Sequence, residues 1–208
     1  MNLVIIGASG LAREVYDLAL TCYGDNPEFK VKGFLSDGPS TIESMGYPKV
    51  LNTVTDYTVE IGDVFFCAIG NVSDRKKTSE IILAKGGSFI NLIHPTAIIS
   101  PSAKIGTGVA IKAYSSIASD VTIGNFVYLQ SSVILGHDVI IGNFCQVNSF
   151  AFFAGYVHIE DLCVINAGAK FIQNIKVGTG ATVGIGSIVL TRVKAGTTVF
   201  GIPAKKIT

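Results

Sequence analysis

Residues 121–147 read VTIGNFVYLQSSVILGHDVIIGNFCQV, and every sixth residue from Ile123 is a large aliphatic: Ile123, Leu129, Leu135, Ile141 and Val147. The phase extends outward in both directions without an insertion. It starts at Ile99, passes Ile105, Ile111 and Ile117, and continues through Phe153, Ile159, Ile165, Phe171, Val177 and Val183 to Val189, sixteen positions in all. The residues two earlier are small or aliphatic, as at Val121, Val127, Val133, Val139, Cys145 and Ala151. A period of six suits neither a helix of 3.6 residues per turn nor a hairpin meander. It suits a parallel β-helix of hexapeptide repeats, in which each hexad makes one flat side and one corner. The periodic residue and the small residue two before it point inward. Glycine follows the periodic residue at Gly106, Gly124, Gly136, Gly142, Gly178 and Gly184, which reads as a means of turning a tight corner.

Three hexads close a triangular coil of 18 residues. The run supplies about five such coils, each about 4.8 Å above the last. Residues 18 apart therefore stack: Phe126 under Phe144, Phe153 under Phe171, Cys145 under Cys163.

The rest of the composition narrows the class. The chain has 208 residues, 49% of them hydrophobic and 15% charged; a typical globular domain is about 25% charged. That excludes disorder. The net charge of +1 gives no electrostatic footprint for nucleic acid and no basic run for a membrane surface. No apolar run is long enough to predict a spanning helix. The opening MNLVIIGASG does not read as a secretion signal, so the expectation is a cytoplasmic protein. Surface this apolar is expected to be hidden in an oligomer. Cys22, Cys67, Cys145 and Cys163 lack C-x-x-C spacing and read as core residues, with no metal site expected.

Residues 1–92 read differently. An apolar run, Leu3 to Ile6, leads into Gly7-Ala8-Ser9-Gly10 and a helical pattern from about Leu11 to Leu20. Strand, glycine turn and helix make the shape of a phosphate-binding turn, or a turn that merely closes a strand–helix unit. A second strand, Phe29 to Leu35, ends in Ser36-Asp37-Gly38-Pro39; a third, Asp63 to Ile69, runs into Gly70-Asn71. A helix follows from about Ser73 to Lys85, then a short strand from Phe89 to Leu92. Alternating βα units predict a small, abbreviated Rossmann-like parallel sheet. Asp37 reads as a ligand for a base or ribose, or as an ordinary turn residue. The glycine fingerprint is incomplete, which argues against NAD-linked oxidoreduction. The expected organisation is thus an α/β Rossmann-like domain over residues 1–92, then a β-helix over 93–208.

The GASG turn, the strand ending GFLSD, AIGN with Arg75 close behind, INLIHPTAIIS before the hexads and a terminal GIPAKKI together carry a resemblance. The chain resembles the bacterial sugar acyltransferase family that includes sialic acid O-acetyltransferases and nucleotide-linked 4-amino-sugar N-acetyltransferases. The resemblance implies a left-handed β-helix, a homotrimer with sites between neighbouring β-helices, acetyl-CoA held by the β-helix and a nucleotide sugar held by the N-terminal domain. It implies nucleotide-sugar contacts at Ser9, Gly10, Leu11, Ser36 and Asp37. It also implies CoA contacts at Ala167 and Ile185, with Lys205 near the adenine end. Three positions depart from the family pattern. Leu11 stands where a histidine is common, the acidic pair is reduced to Ser36-Asp37, and Gln146 replaces a histidine that helps place acetyl-CoA.

Acetyl transfer needs a base, oxyanion donors and close approach of both substrates. Histidine fits the base role, since its unperturbed pKa of about 6.5 leaves it largely neutral in the cytoplasm. A neighbouring carboxylate orients the ring. His137, at a corner directly before Asp138, meets both needs; in the family the matching histidine is the base. His94 and His158 read as structural and solvated. The residue 18 beyond His137 is Gly155, whose N–H is open to close approach. It reads as the donor to the acetyl carbonyl, as the matching glycine is in the family, or as a plain corner glycine. Phe150, Phe152 and Tyr156 read as outward rings of a trimer interface or an acceptor pocket.

The leading expectation is an acetyl-CoA-dependent N-acetyltransferase acting on a nucleotide-linked amino sugar for bacterial surface glycans. O-acylation of a sialic acid or polysaccharide hydroxyl, and a catalytically silent hexapeptide scaffold, are the alternatives.

Overall fold

The computed structural model describes residues 1–207. They divide into two compact units, Met1–Leu92 and a second beginning at Ile93.

The first unit is a four-stranded parallel sheet: β1 (Asn2–Ile6), β2 (Lys30–Leu35), β3 (Val50–Asn52) and β4 (Asp63–Cys67), in the order β3-β2-β1-β4. Helix α1 (Gly10–Tyr23) buries Ala12, Val15, Leu18 and Ala19, the spacing of one helical face. Helix α2 (Val72–Ala84) starts at Asn71, whose side chain accepts from the N–H groups of Ser73 at 2.9 Å and Asp74 at 3.1 Å. Strand β3 was not legible, because two half-exposed residues and an exposed one on the sheet edge give no alternation to read. The expected strand at Phe89–Leu92 is corrected to a single bridge, Phe65 to Phe89. The true strand is Leu92–Ile93, which opens a sheet of the β-helix. At the start of β4, Asp63 accepts from Tyr57 Oη at 2.6 Å and from Lys32 at 2.9 Å, and Lys32 also reaches Glu60 at 2.8 Å. Burial alone would raise the Asp63 pKa; these bonds and the Glu60 N–H outweigh it and hold it below the ordinary carboxylate range.

The second unit is the parallel β-helix. Its two-residue strands up to Ile188–Val189 fall in the expected phase, and its strands stack into sides of six, five and eight. The eight-stranded side ends out of phase with Thr198–Phe200, whose Thr198 pairs with Thr182 sixteen residues back, and with the antiparallel Lys205–Lys206. The six-stranded side pairs residues 18 apart from Ile98 to Ile188, giving five steps. From Val109 to Val189 both inward positions of the hexads are buried, and the inward serines are satisfied: Ser115 Oγ donates to the Gln130 carbonyl at 3.1 Å. The Phe126–Phe144 rings stack at 4.9 Å and the Phe153–Phe171 rings at 4.7 Å, as the 18-residue register predicts. All four cysteines are free thiols.

The glycine expectation needs correction. The residue with left-handed backbone is not the glycine after the periodic aliphatic but the residue two further on. Phe126 has φ 57°, Asp138 58°, Phe144 57° and Tyr156 62°. Each such corner costs about 1–2 kcal/mol, while each buried aliphatic contributes about 1.5–3 kcal/mol, so two inward residues per hexad offset the strain. The glycine is required for a different reason, close approach of the next coil. A Cβ on Gly142 would lie 2.7 Å from Asp161 N. Gly142→Ala should therefore destabilise the β-helix by about 1–3 kcal/mol. Gly38→Ala, where a Cβ meets open space, should leave the melting temperature unchanged; thermal melts of both variants check this.

One edge of the prism carries a polar ladder. Thr107 N–H donates to Asn125 Oδ1 at 2.9 Å, Asn125 N–H to Asn143 Oδ1 at 2.9 Å, and Asn143 N–H to Asp161 Oδ1 at 2.7 Å. Beside it, Glu160 pairs with Lys176 at 3.0 Å and accepts from Thr179 N–H and Oγ–H, both at 2.9 Å. These contacts, Lys176 first, hold the Glu160 pKa down to about 2. The folded value lies below the unfolded value of about 4.3. The contribution is therefore complete above that pH and lost as pH falls toward 2. Glu160→Gln should make the melting temperature fall less steeply than in the parent from about pH 5 to about pH 2, measured by calorimetry across that window.

Candidate active site

The turn from the six-stranded to the five-stranded side forms an edge on which Ser119, His137, Gly155 and Gln173 stack. The stacking is held by backbone bonds: Tyr156 N–H donates to the His137 carbonyl at 3.1 Å and Asn174 N–H to the Gly155 carbonyl at 3.2 Å. A Cβ built on Gly155 would lie 2.5 Å from His137 Cε1 and 2.6 Å from Nε2. The imidazole occupies the space that any side chain at 155 would fill. The Tyr156 ring meets it edge to face, with centroids 5.0 Å apart.

His137 Nδ1 lies 2.8 Å from Asp138 Oδ2. With Nδ1–H donating to that carboxylate, Nε2 carries the lone pair. The side chains of His137 and Asp138 are 51% and 41% exposed, so the imidazole is open to an incoming molecule. On the ladder edge, Asn125 and Asn143 donate their N–H groups to a side chain of the next coil. Among the described residues nothing accepts from the Gly155 N–H. An unsatisfied N–H beside an exposed imidazole lone pair is a donor–base pair of the kind acyl transfer requires.

The other expected residues lie elsewhere on the prism. Gln146 is buried on the eight-stranded side and donates to Asn148 Oδ1 at 3.0 Å. Ala167 and Ile185 stack on the edge that follows that side, with Gly186 N–H donating to the Ala167 carbonyl at 2.9 Å. Lys205 belongs to the strand Lys205–Lys206 that ends the eight-stranded sheet. It lines a groove of about 440 Å3 with Arg192, Lys194 and Lys206. Arg192 and Lys194 were missed because they follow Val189, the last residue in phase, and the bridge from Val177 to Val193 spans 16 residues rather than 18. Within one chain, then, the six-stranded side separates Gln146, Ala167, Ile185 and Lys205 from His137, Asp138 and Gly155. That side presents Ile98, Ile134 and Phe152 outward, and Phe150 and Tyr156 project near its margins; all five are exposed.

The first unit has its own crevice, of about 410 Å3, at the carboxyl ends of β1, β2 and β4, where ligands of open parallel sheets bind. Gly7, Ala8, Ser9, Ser36 and Asp37 line it, together with Thr55, Asp74 and Lys77. Gly10 instead borders a smaller adjoining pocket with Arg13 and Met45. Leu11 lines neither and lies near Gly70, where a Cβ would sit 3.8 Å from Leu11 Cδ2. Asp37 Oδ1 accepts from Val54 N–H at 2.8 Å. Asp74 and Lys77 were missed; the Asn71 cap, which starts α2 right after β4, was the available signal. The described residues hold no cluster of His, Cys, Asp and Glu suited to a metal, and no helix among them is long and apolar enough to cross a membrane.

Comparison with known proteins agrees with both units. Residues 2–82 match the PglD N-terminal domain and residues 114–149 match the bacterial transferase hexapeptide repeats. Each unit is thus similar to a part of the bacterial sugar acyltransferases that carry a hexapeptide-repeat β-helix. Over 118 residues it is 35% identical to UDP-N-acetylbacillosamine N-acetyltransferase of Bacillus subtilis, covering 54% of this chain and 51% of that protein. The stretch that matches thus spans about half the length of that relative. Among solved structures, the acetyltransferase domain of PglB from Neisseria gonorrhoeae in complex with acetyl coenzyme A is 29% identical, with a TM-score of 0.87 over 99% of this chain and 98% of that one. PerB from Caulobacter crescentus, in complex with CoA and GDP-perosamine, is 28% identical, with a TM-score of 0.89 over 100% of this chain and 98% of that one.

The Gly155 contact predicts a structural outcome. Gly155→Ala should keep the fold but swing the His137 ring away, breaking its bond to Asp138; a crystal structure of the variant checks the ring position.

Proposed function

We propose that this chain is an acetyl-CoA-dependent N-acetyltransferase acting on a nucleotide-linked amino sugar, a cytoplasmic step toward bacterial surface glycans. The observation that carries the reading is the His137–Asp138 pair set against the unsatisfied Gly155 N–H. His137 Nε2 takes the proton from the sugar amine as its nitrogen attacks the thioester carbonyl. Gly155 N–H donates to the oxygen that gains charge. Asp138 stabilises the imidazolium, which then returns its proton to the departing thiolate. The crevice at Ser9, Ser36 and Asp37 takes the nucleotide, with Gly10 and Leu11 at its helix start. A relative that acts on a UDP-linked sugar and a neighbour holding GDP-perosamine support that assignment.

Gln146, Ala167, Ile185 and Lys205 serve CoA, and their separation from His137 within one chain supports a homotrimer. In that assembly the edge bearing Ala167 and Ile185 of one copy faces the His137 edge of the next. The exposed Ile98, Ile134, Phe150 and Phe152 on and beside the six-stranded side supply apolar area for such an interface.

His137→Ala should keep its oligomeric state and lose turnover by roughly 10²–10⁴-fold with acetyl-CoA and a nucleotide-linked 4-amino sugar. Wild-type turnover in that variant overturns the base assignment. Activity on free hydroxy sugars alone, in a panel of amino and hydroxy acceptors, would replace N- by O-acetylation.

A further inference from the structure

One turn of the first unit, residues 53–57, is held by opposite charges at its two ends. Tyr57 N–H donates to the Thr53 carbonyl at 3.1 Å, closing a single helical turn. Thr53 Oγ1 and Asp56 lock it from inside, through Oγ1–H to Asp56 Oδ2 at 2.8 Å and Asp56 N–H to Oγ1 at 3.0 Å. At its start, Val54 N–H donates to the Asp37 carboxylate at 2.8 Å. At its end, the Lys85 ammonium donates to three carbonyls: Val54 at 3.2 Å, Tyr57 at 2.9 Å, and Thr55. Helical backbone carries partial positive charge at its N–H end and partial negative charge at its carbonyl end. A carboxylate at the first and an ammonium at the second match that polarity.

Lys85 is the residue at the C-terminal cap of α2, and among the described residues no carboxylate pairs with it. It does not line the crevice. Val54 and Thr55, whose carbonyls it binds, and Asp37, which accepts from Val54 N–H, all do. We infer that Lys85 is a positioning residue for the nucleotide crevice: it fixes the wall formed by Val54 and Thr55 and, through Val54 N–H, the orientation of Asp37. Without the ammonium, the three carbonyls lose the one side-chain donor that ties them together. The turn then opens, and Asp37 loses the N–H that orients it.

The inference rests on the nucleotide reading above, and calorimetric titration of the full chain with UDP, GDP and CoA separates the two. Lys85→Met should weaken whichever nucleoside diphosphate the parent binds by roughly tenfold or more. CoA affinity should stay unchanged, and Lys85→Arg should restore most of the loss. Unchanged nucleotide affinity in a folded Lys85→Met overturns the inference alone, even if its melting temperature falls, because a purely structural clamp has that outcome. Equal weakening of nucleotide and CoA overturns it too. A parent chain that binds neither UDP nor GDP overturns the nucleotide reading and the inference with it. Should Lys85→Met fail to fold, Lys85→Gln keeps a donor on a shorter stem, and the same selective loss is expected in smaller degree.

Discussion

The parallel ladder with an 18-residue register is the constraint on which the β-helix depends. Each coil donates and accepts through the same positions as the coil below, from Thr122 against Ile140 to Val164 against Thr182. A one-residue slip in a strand would turn its inward aliphatics outward. The register therefore fixes the Phe126–Phe144 and Phe153–Phe171 stacks and the asparagine ladder. It also explains why aromatic residues tolerate left-handed corners: Phe144 N–H still donates to the Asn125 carbonyl at 2.8 Å, and the buried aliphatics on either side outweigh the strain.

The same register makes the site. His137 and Gly155 meet because they are one coil apart on one edge, and a bare residue above is the only arrangement that leaves room for the ring. On the neighbouring edge, asparagine side chains consume the corresponding N–H groups. The β-helix thus has two uses for a corner. Asparagine seals it, whereas histidine under glycine sets an exposed base beside a buried N–H from which no described residue accepts.

In the first unit the controlling interaction is electrostatic. The crevice at the carboxyl ends of the strands is walled partly by a single turn. That turn lacks the length to hold itself, since isolated helical turns are unfavourable in water. Charge at both ends, from Asp37 and Lys85, supplies what length does not.

The hexad phase by itself determined the β-helix, its inward residues, the stacked pairs and the His137–Gly155 juxtaposition, because a repeat whose period equals a third of a coil converts sequence distance directly into spatial distance. Most strands of the first unit were legible as short apolar runs ending in glycine or turn residues, and α1 from its single apolar face, whereas α2 has no apolar face to read. Tertiary structure alone decided the rest. Edge strand Val50–Asn52 has no pattern of its own. The glycines after the periodic aliphatics answer to the next coil rather than to their own φ. Gln146, Ala167 and Ile185 are separated from His137 by a whole side of the prism, which is fixed by where each falls around the triangle. Lys85 reaches a turn some 30 residues away in the chain, and contacts between residues that far apart, outside any repeat, arise only when the sheet has brought its loops together.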